Sequence, residues 1–180
     1  STDRIVANCH KLPQQHFSKR LLSIEEIGES LIRIAQLLKQ INPSMQLVIT
    51  ISPVRHIKDG FLENQVSKSQ LFSALYPLIT SGYYTYFPAY ELLLDELRDY
   101  RFYANDMVHP SEMAINYIWE RLVATYIDTA TQMDMKQAES IQKALLHRPF
   151  NPDTEKHQQF LIQLQQKMEV FTMKYPHIKF

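Results

Sequence analysis

Apolar residues at threes and fours open the regular part of the chain. Ile24, Ile27, Leu31, Ile34, Leu38 and Ile41 fall on one face of a helix. Ser23, with Glu26 three residues on, is a capping-box signature that starts it. Asn42-Pro43 ends it, because proline cannot extend the hydrogen-bond ladder. The pattern then changes. Gln46–Ser52, "QLVITIS", is short, β-branched and almost continuously apolar, which predicts a strand buried on both faces. A second helix is expected over about Asn64 to Ile79, and a second strand over Tyr83–Tyr90, "YYTYFPAY". Strand, helix and strand in that order predict a right-handed parallel crossover. After Pro110 a helix carries Ile115, Ile118, Trp119, Leu122, Val123 and Tyr126 on one side. Two more helices are expected, at about Thr131–Leu146 and Thr154–Met173, broken by "HRPFNPD" (His147–Asp153). In the last, Phe160, Leu161, Leu164, Met168 and Phe171 make one stripe, and the opposite Gln- and Lys-rich face reads as solvated. The first 22 residues read as a short strand, Ile5–Ala7, followed by irregular chain.

Composition then narrows the class. The 180 residues have the length of one domain, and 45% are hydrophobic, enough for a core. Formal net charge is zero and no block of like charge occurs, so there is no electrostatic footprint for nucleic acid or an anionic membrane. The apolar runs are too short to span a bilayer. No signal peptide is visible at Ser1. The single cysteine, Cys9, excludes an internal disulfide and favours a reducing compartment, so a cytoplasmic location is expected. Only three glycines are present, Gly28, Gly60 and Gly82, which rules out a Gly-rich phosphate loop or a dinucleotide fingerprint. Cys9, His10 and His16 match no zinc spacing, and no second cluster completes four ligands. No metal and no cofactor are expected.

The chemistry-bearing stretch is Asp106-Met-Val-His109-Pro110, just before a periodic run. Histidine suits proton transfer near neutrality, provided its ring and tautomer are fixed. A carboxylate accepting from one ring nitrogen fixes both. Asp106 and His109 on one loop are placed to do this, with Pro110 at the first helical position fixing the exit. The plain alternative makes Asp106 an N-cap and His109 a surface residue. A partner nucleophile is not evident. Gly28-Glu29-Ser30 lies mid-helix with no strand before it, Ser52 is followed by Pro53, and Ser67 and Ser69 fall in a helical segment.

Three blocks carry a specific likeness: "RIVANCHKLPQQHF", "TISPVRHIKDGFLENQVSKSQL" and "YFPAYELLLDELRDYRFYANDMVHPSEMAINYIWERL". Together, in order, from about Ile5 to Leu122, they resemble the GSCFA-domain family, which belongs with the SGNH/GDSL-type hydrolases. The resemblance implies an α/β fold class: a partial SGNH-like three-layer fold with a small parallel sheet, helix-rich, plus C-terminal helices. Residues 1–130 would be the C-terminal part of a GSCFA domain and residues 131–180 a helical extension. Asp106 and His109 match the family's Asp-x-x-His element. The implied nucleophile is the serine of a Gly-Ser-Cys-Phe-Ala block, and no such block occurs in these 180 residues. The chain therefore resembles the downstream portion of a GSCFA protein, expected to be inactive alone.

The implied activity is hydrolysis of a small-molecule ester, an O-acylated carbohydrate being one class known in the superfamily. SGNH-type enzymes hold the oxyanion with the nucleophile's N–H, a glycine N–H and an asparagine side chain. Asn8, in "VANCH", is the candidate for the last, and reads equally as a turn residue. Arg55 and His56, with Lys58, lie just past a strand end, where an anionic or polar ligand would be met. The bland reading is a solvated loop, or pairing with Asp59 and Glu63. In "LRDYRFYAND", Arg98 and Arg101 alternate with Tyr100, Phe102 and Tyr103, either as a ligand platform or as packing that orients the Asp-x-x-His loop. A rival class remains: an interaction or structural module using the helices after residue 130. A sheet lacking its first strands would also leave an edge open to self-association.

Overall fold

The computed structural model of the chain describes residues 5–6 and 11–180. The expected strand at Ile5–Ala7 is not formed at Ile5 and Val6, which are irregular, and Ala7 lies outside the described residues. The chain divides into two compact units, Ser1–Ile118 and Trp119–Phe180.

In the first unit, α1 spans Ile24–Ile41 and starts where the sequence places it. Ser23 Oγ accepts from the Glu26 N–H at 3.2 Å, and the Glu26 carboxylate accepts from the Ser23 N–H at 2.9 Å. Asn42 caps the other end. The packed face runs through Leu31, Ile32 and the fully buried Ala35, while Ile34 and Ile41 of the expected stripe are exposed. The small Ala35 side chain permits close approach of α2, Phe61–Thr80, against which α1 packs.

Between these helices' ends run two short strands, β1 (Val48–Ile49) and β2 (Thr85–Tyr86), paired in parallel with Val48 opposite Thr85. Thr85 N–H donates to Leu47 and Phe87 N–H to Ile49, both at 2.8 Å. The parallel crossover through α2 is as expected, but both strands are shorter than expected. Val48 is 46% exposed, so β1 is not buried on both faces, and Ile51, beyond it, is the buried residue. Ala89 and Tyr90, expected in β2, instead begin a short α3 (Ala89–Glu91). Ile51, Leu75, Leu78 and Tyr84 join Ala35 in the core, and the Tyr84 hydroxyl donates to the Leu31 carbonyl at 2.7 Å. The architecture is thus α/β and helix-rich, with a two-stranded parallel sheet.

A π-helical turn, Leu92–Glu96, continues α3 and buries Leu93; a second core forms where Leu93 and Leu97 meet Ala114 of α4 (Glu112–Tyr126). Tyr117 and Ile118 pack there, whereas Ile115 and Trp119 of the expected side are exposed. The division between the units falls within α4.

The second unit contains α5 (Thr129–Leu146), capped by Asp128, and α6 (Glu155–Lys174), capped by Thr154. Ile141 packs with Leu164 and Phe171. Asp134 of α5 ties the end of α6 by accepting from Lys174 at 2.7 Å and from the Tyr175 hydroxyl at 2.5 Å. Leu161, expected in the buried stripe, is 42% exposed. Among the described residues no helix is long and apolar enough to cross a membrane.

Candidate active site

The Asp-x-x-His loop is built on a closed neck. Asp99 accepts from the Arg101 N–H at 2.9 Å and starts a 3-10 turn over Tyr100–Phe102. Phe102 and Tyr103 then pack on Leu93, Leu97 and Ala114, so these aromatics support the loop from beneath. Tyr103 and Pro110 form an antiparallel bridge. Ala104 N–H donates to the His109 carbonyl at 2.8 Å and Ser111 N–H to the Phe102 carbonyl at 2.8 Å. Residues 104–109 are thereby a short excursion whose two ends are hydrogen-bonded together.

Within it the chain must reverse. Met107 adopts φ 59°, a left-handed conformation uncommon for a side-chain-bearing residue. The reversal turns the Val108 and His109 N–H groups onto Asp106 Oδ1, each at 3.0 Å. The other oxygen, Oδ2, lies 2.6 Å from His109 Nδ1. These bonds to the charged form, those to the His109 backbone and ring foremost, hold the Asp106 carboxyl down at about 2. A neutral ring that donates Nδ1–H to Asp106 leaves Nε2 as its basic nitrogen. The His109 side chain is 62% exposed, and among the described residues nothing occupies Nε2.

Pro110 is not the first helical residue. It belongs to the bridge, and α4 begins at Glu112 with Ser111 as its cap. Ser111 Oγ accepts from Ala114 N–H at 3.4 Å and donates to the Arg101 carbonyl at 3.0 Å. Nor is Asp106 an N-cap; its carboxylate is fully spent on the loop and on the histidine.

The other sequence candidates fall differently. Arg55 is exposed on the segment after β1, with no hydrogen bond or ion pair among the described residues. His56 is held by its backbone, its N–H donating to Asn64 Oδ1 at 2.9 Å. Asp59 pairs with Lys19 rather than with Arg55. Glu63 folds over Gly60, where φ is 98° and where any side chain would collide with that carboxylate. No hydrogen bond or ion pair among the described residues joins Arg55 or His56 to Asp106 or His109. Asn8, the oxyanion candidate, lies outside the described residues.

The sequence shows Asn64 and Lys68 only as polar residues of the segment that follows the first strand, without a role for either; both lie on α2. Asn64 and Lys68 are the buried polar side chains of the chain's described part, at 9% and 6% exposure. Lys68 Nζ donates to the Ser52 carbonyl at 2.6 Å. The signal for them was available: polar residues four apart on a helix whose neighbours on that face are apolar.

The serines considered as nucleophiles are engaged elsewhere. Ser30 Oγ donates to the Glu26 carbonyl within α1, Ser52 Oγ accepts from Val54 N–H, and Ser67 and Ser69 sit on α2. Among the described residues no serine hydroxyl bonds the His109 ring, and no group of three His, Cys, Asp or Glu side chains is placed to hold a metal ion.

The family model described as the GSCFA family matches residues 1–122. The chain belongs to the GSCFA family. A second model, the C-terminal domain of GSCFA domain proteins, matches residues 138–180. Asp106, His109, Arg55 and His56 therefore all lie in the GSCFA match, while α6 and the end of α5 lie in the C-terminal one. No curated protein and no solved structure matches the chain.

Proposed function

We propose that this GSCFA chain carries the acid–base element of a serine ester hydrolase on an SGNH-like fold. The observation that supports it is the 2.6 Å contact between Asp106 Oδ2 and His109 Nδ1, with Nε2 left open. In this reading Nε2 removes the proton of a serine hydroxyl as its oxygen attacks the ester carbonyl. It then gives that proton to the departing alcohol, and water repeats the cycle on the acyl-enzyme. Asp106 holds the tautomer and stabilises the imidazolium. The nucleophile is the serine of a Gly-Ser-Cys-Phe-Ala block, which these 180 residues do not contain. Substrate is a small ester, with acylated carbohydrates proposed by superfamily analogy only, and the expected cytoplasmic location belongs to the same proposal.

A second reading is an interaction module. It is favoured by the exposed apolar side chains of Leu145, Leu161 and Ile162 on the helices of the second unit.

The deciding assay is p-nitrophenyl acetate hydrolysis by this chain and by the complete reading frame that encodes it, each with and without His109→Ala. This chain should be no faster than its own variant, because a base without a positioned nucleophile has lost most of its advantage. In a frame that includes the block, the substitution should nearly abolish turnover, since triad members act as a unit. Robust His109-dependent turnover by this chain would place the nucleophile among its own serines. A complete frame indifferent to His109 would favour the interaction module.

A further inference from the structure

The segment after β1 is held with more polar hardware than a solvated loop requires. Two side chains one helical turn apart on α2 reach under it. Asn64 Oδ1 accepts from the His56 N–H at 2.9 Å, and Lys68 Nζ donates to the Ser52 carbonyl at 2.6 Å. Between those two anchors stands Arg55, exposed and without a partner among the described residues. The turn that follows is closed by Asp59 N–H to His56 and Gly60 N–H to Ile57, both at 3.1 Å.

Lys68 is the unusual member. The residue is 6% exposed, and among the described residues no carboxylate pairs with it. Burying an ammonium ion against a single carbonyl is costly, and an apolar side chain of similar length would serve packing better. Desolvation lowers its pKa accordingly. The nearest acid along the turn, Asp59, is already paired with Lys19. The free charges of residues 52–60 are therefore those of Arg55 and Lys58, with the Lys68 ammonium beneath and the Glu63 carboxylate only at the far end, over Gly60. The segment also follows the C-terminal end of a parallel strand, where ligands of α/β sheets collect.

We infer that residues 52–60 form a preorganised cationic recognition loop, with Lys68 and Asn64 as its positioning residues, and that the ester it selects carries an anionic group. This inference rests on the hydrolase reading and names its substrate class. Arg55 makes the contact, by the fork of N–H donors that matches a carboxylate. Lys68 acts through the Ser52 carbonyl and through its field, without touching substrate.

The first experiment needs no turnover. Backbone amide resonances of this chain are followed while monomethyl succinate, a monoanion, or dimethyl succinate, its neutral analogue, is added up to about 10 mM. The monoanion should move the Arg55 and His56 signals and the neutral ester should not. Arg55→Gln, an exposed change compatible with folding, should remove the response, and Lys68→Met should weaken it. Lys39→Gln, on the last turn of α1, should leave it intact. An equal response to both esters, or none to either, would overturn the inference whatever His109 does.

The second experiment uses the complete reading frame. The ratio of kcat/KM for the p-nitrophenyl hemiester of succinate to that for p-nitrophenyl acetate should fall roughly tenfold or more in Arg55→Gln, through KM. It should fall in the unsubstituted protein as salt is raised. Loss of both activities in His109→Ala with an unchanged preference between the esters in Arg55→Gln would sustain the hydrolase and sink the anionic substrate.

Discussion

Asp106 and His109 form a pair whose geometry is set by one turn. Both oxygens of Asp106 are engaged, one by two backbone N–H groups and one by the imidazole. The folded carboxyl titrates at about 2, below its ordinary 3.8, so ionisation favours the folded loop at pH values above 3.8. That contribution is lost as the pH falls towards 2. A carbon-detected titration should give Asp106 a midpoint near 2, with the Val108 and His109 amide signals moving in step. A midpoint near 3.8 would mean that the carboxylate does not hold the turn. Asp106→Asn keeps the shape but offers the ring an amide. In a complete, active reading frame it should lower kcat by about 10²–10⁴-fold with little change in KM, because the wrong tautomer is favoured. The pair itself was legible in the sequence from its spacing. The left-handed turn at Met107 was not, because methionine gives no hint of positive φ and only the closed neck from Tyr103 to Pro110 compels it.

Element boundaries were legible where a side chain marks them locally. Ser23 and Glu26 make the capping box the sequence announces, and Thr154 caps α6 at the predicted start. Ser23→Ala should therefore cost about 1 kcal/mol and lower the urea midpoint without changing the m-value. A midpoint unchanged within error would show that the Glu26–Arg20 pair, not the cap, secures the start of α1. Faces were less legible than boundaries. Ile34, Ile41, Ile115 and Leu161 satisfy helical periodicity yet lie exposed, while Ala35 and Ala114 are fully buried in the cores. Periodicity reports which residues share a side of a helix. It does not report which sector of that side a neighbour covers, and small residues at a close approach carry no hydrophobic signal of their own.

At the scale of the whole molecule, the short sheet bears on association. Among the described residues β1 is hydrogen-bonded only to β2. Val48, on β1, is 46% exposed. An exposed apolar residue on a short strand at the side of a sheet favours pairing with another chain. Light scattering should therefore show association that grows with protein concentration. Val48→Lys should suppress it, because a charge on an edge strand opposes edge-to-edge pairing. Monomeric behaviour across the whole concentration range would contradict this.

The sequence by itself determined the five long helices, the capping box at Ser23, the parallel crossover, GSCFA membership and the Asp-x-x-His pair. Each rests on residues close in sequence or on a block long enough to be specific. The tertiary structure decided the rest. It shortened the strands, because a two-stranded ladder ends where its partner turns away. It moved the start of α4 past Pro110, because that proline is held in a bridge to Tyr103. It also brought Asn64 to His56 and Lys68 to Ser52, contacts that span 8 and 16 residues; the helical spacing of the two polar residues marks them as a pair but does not name these partners.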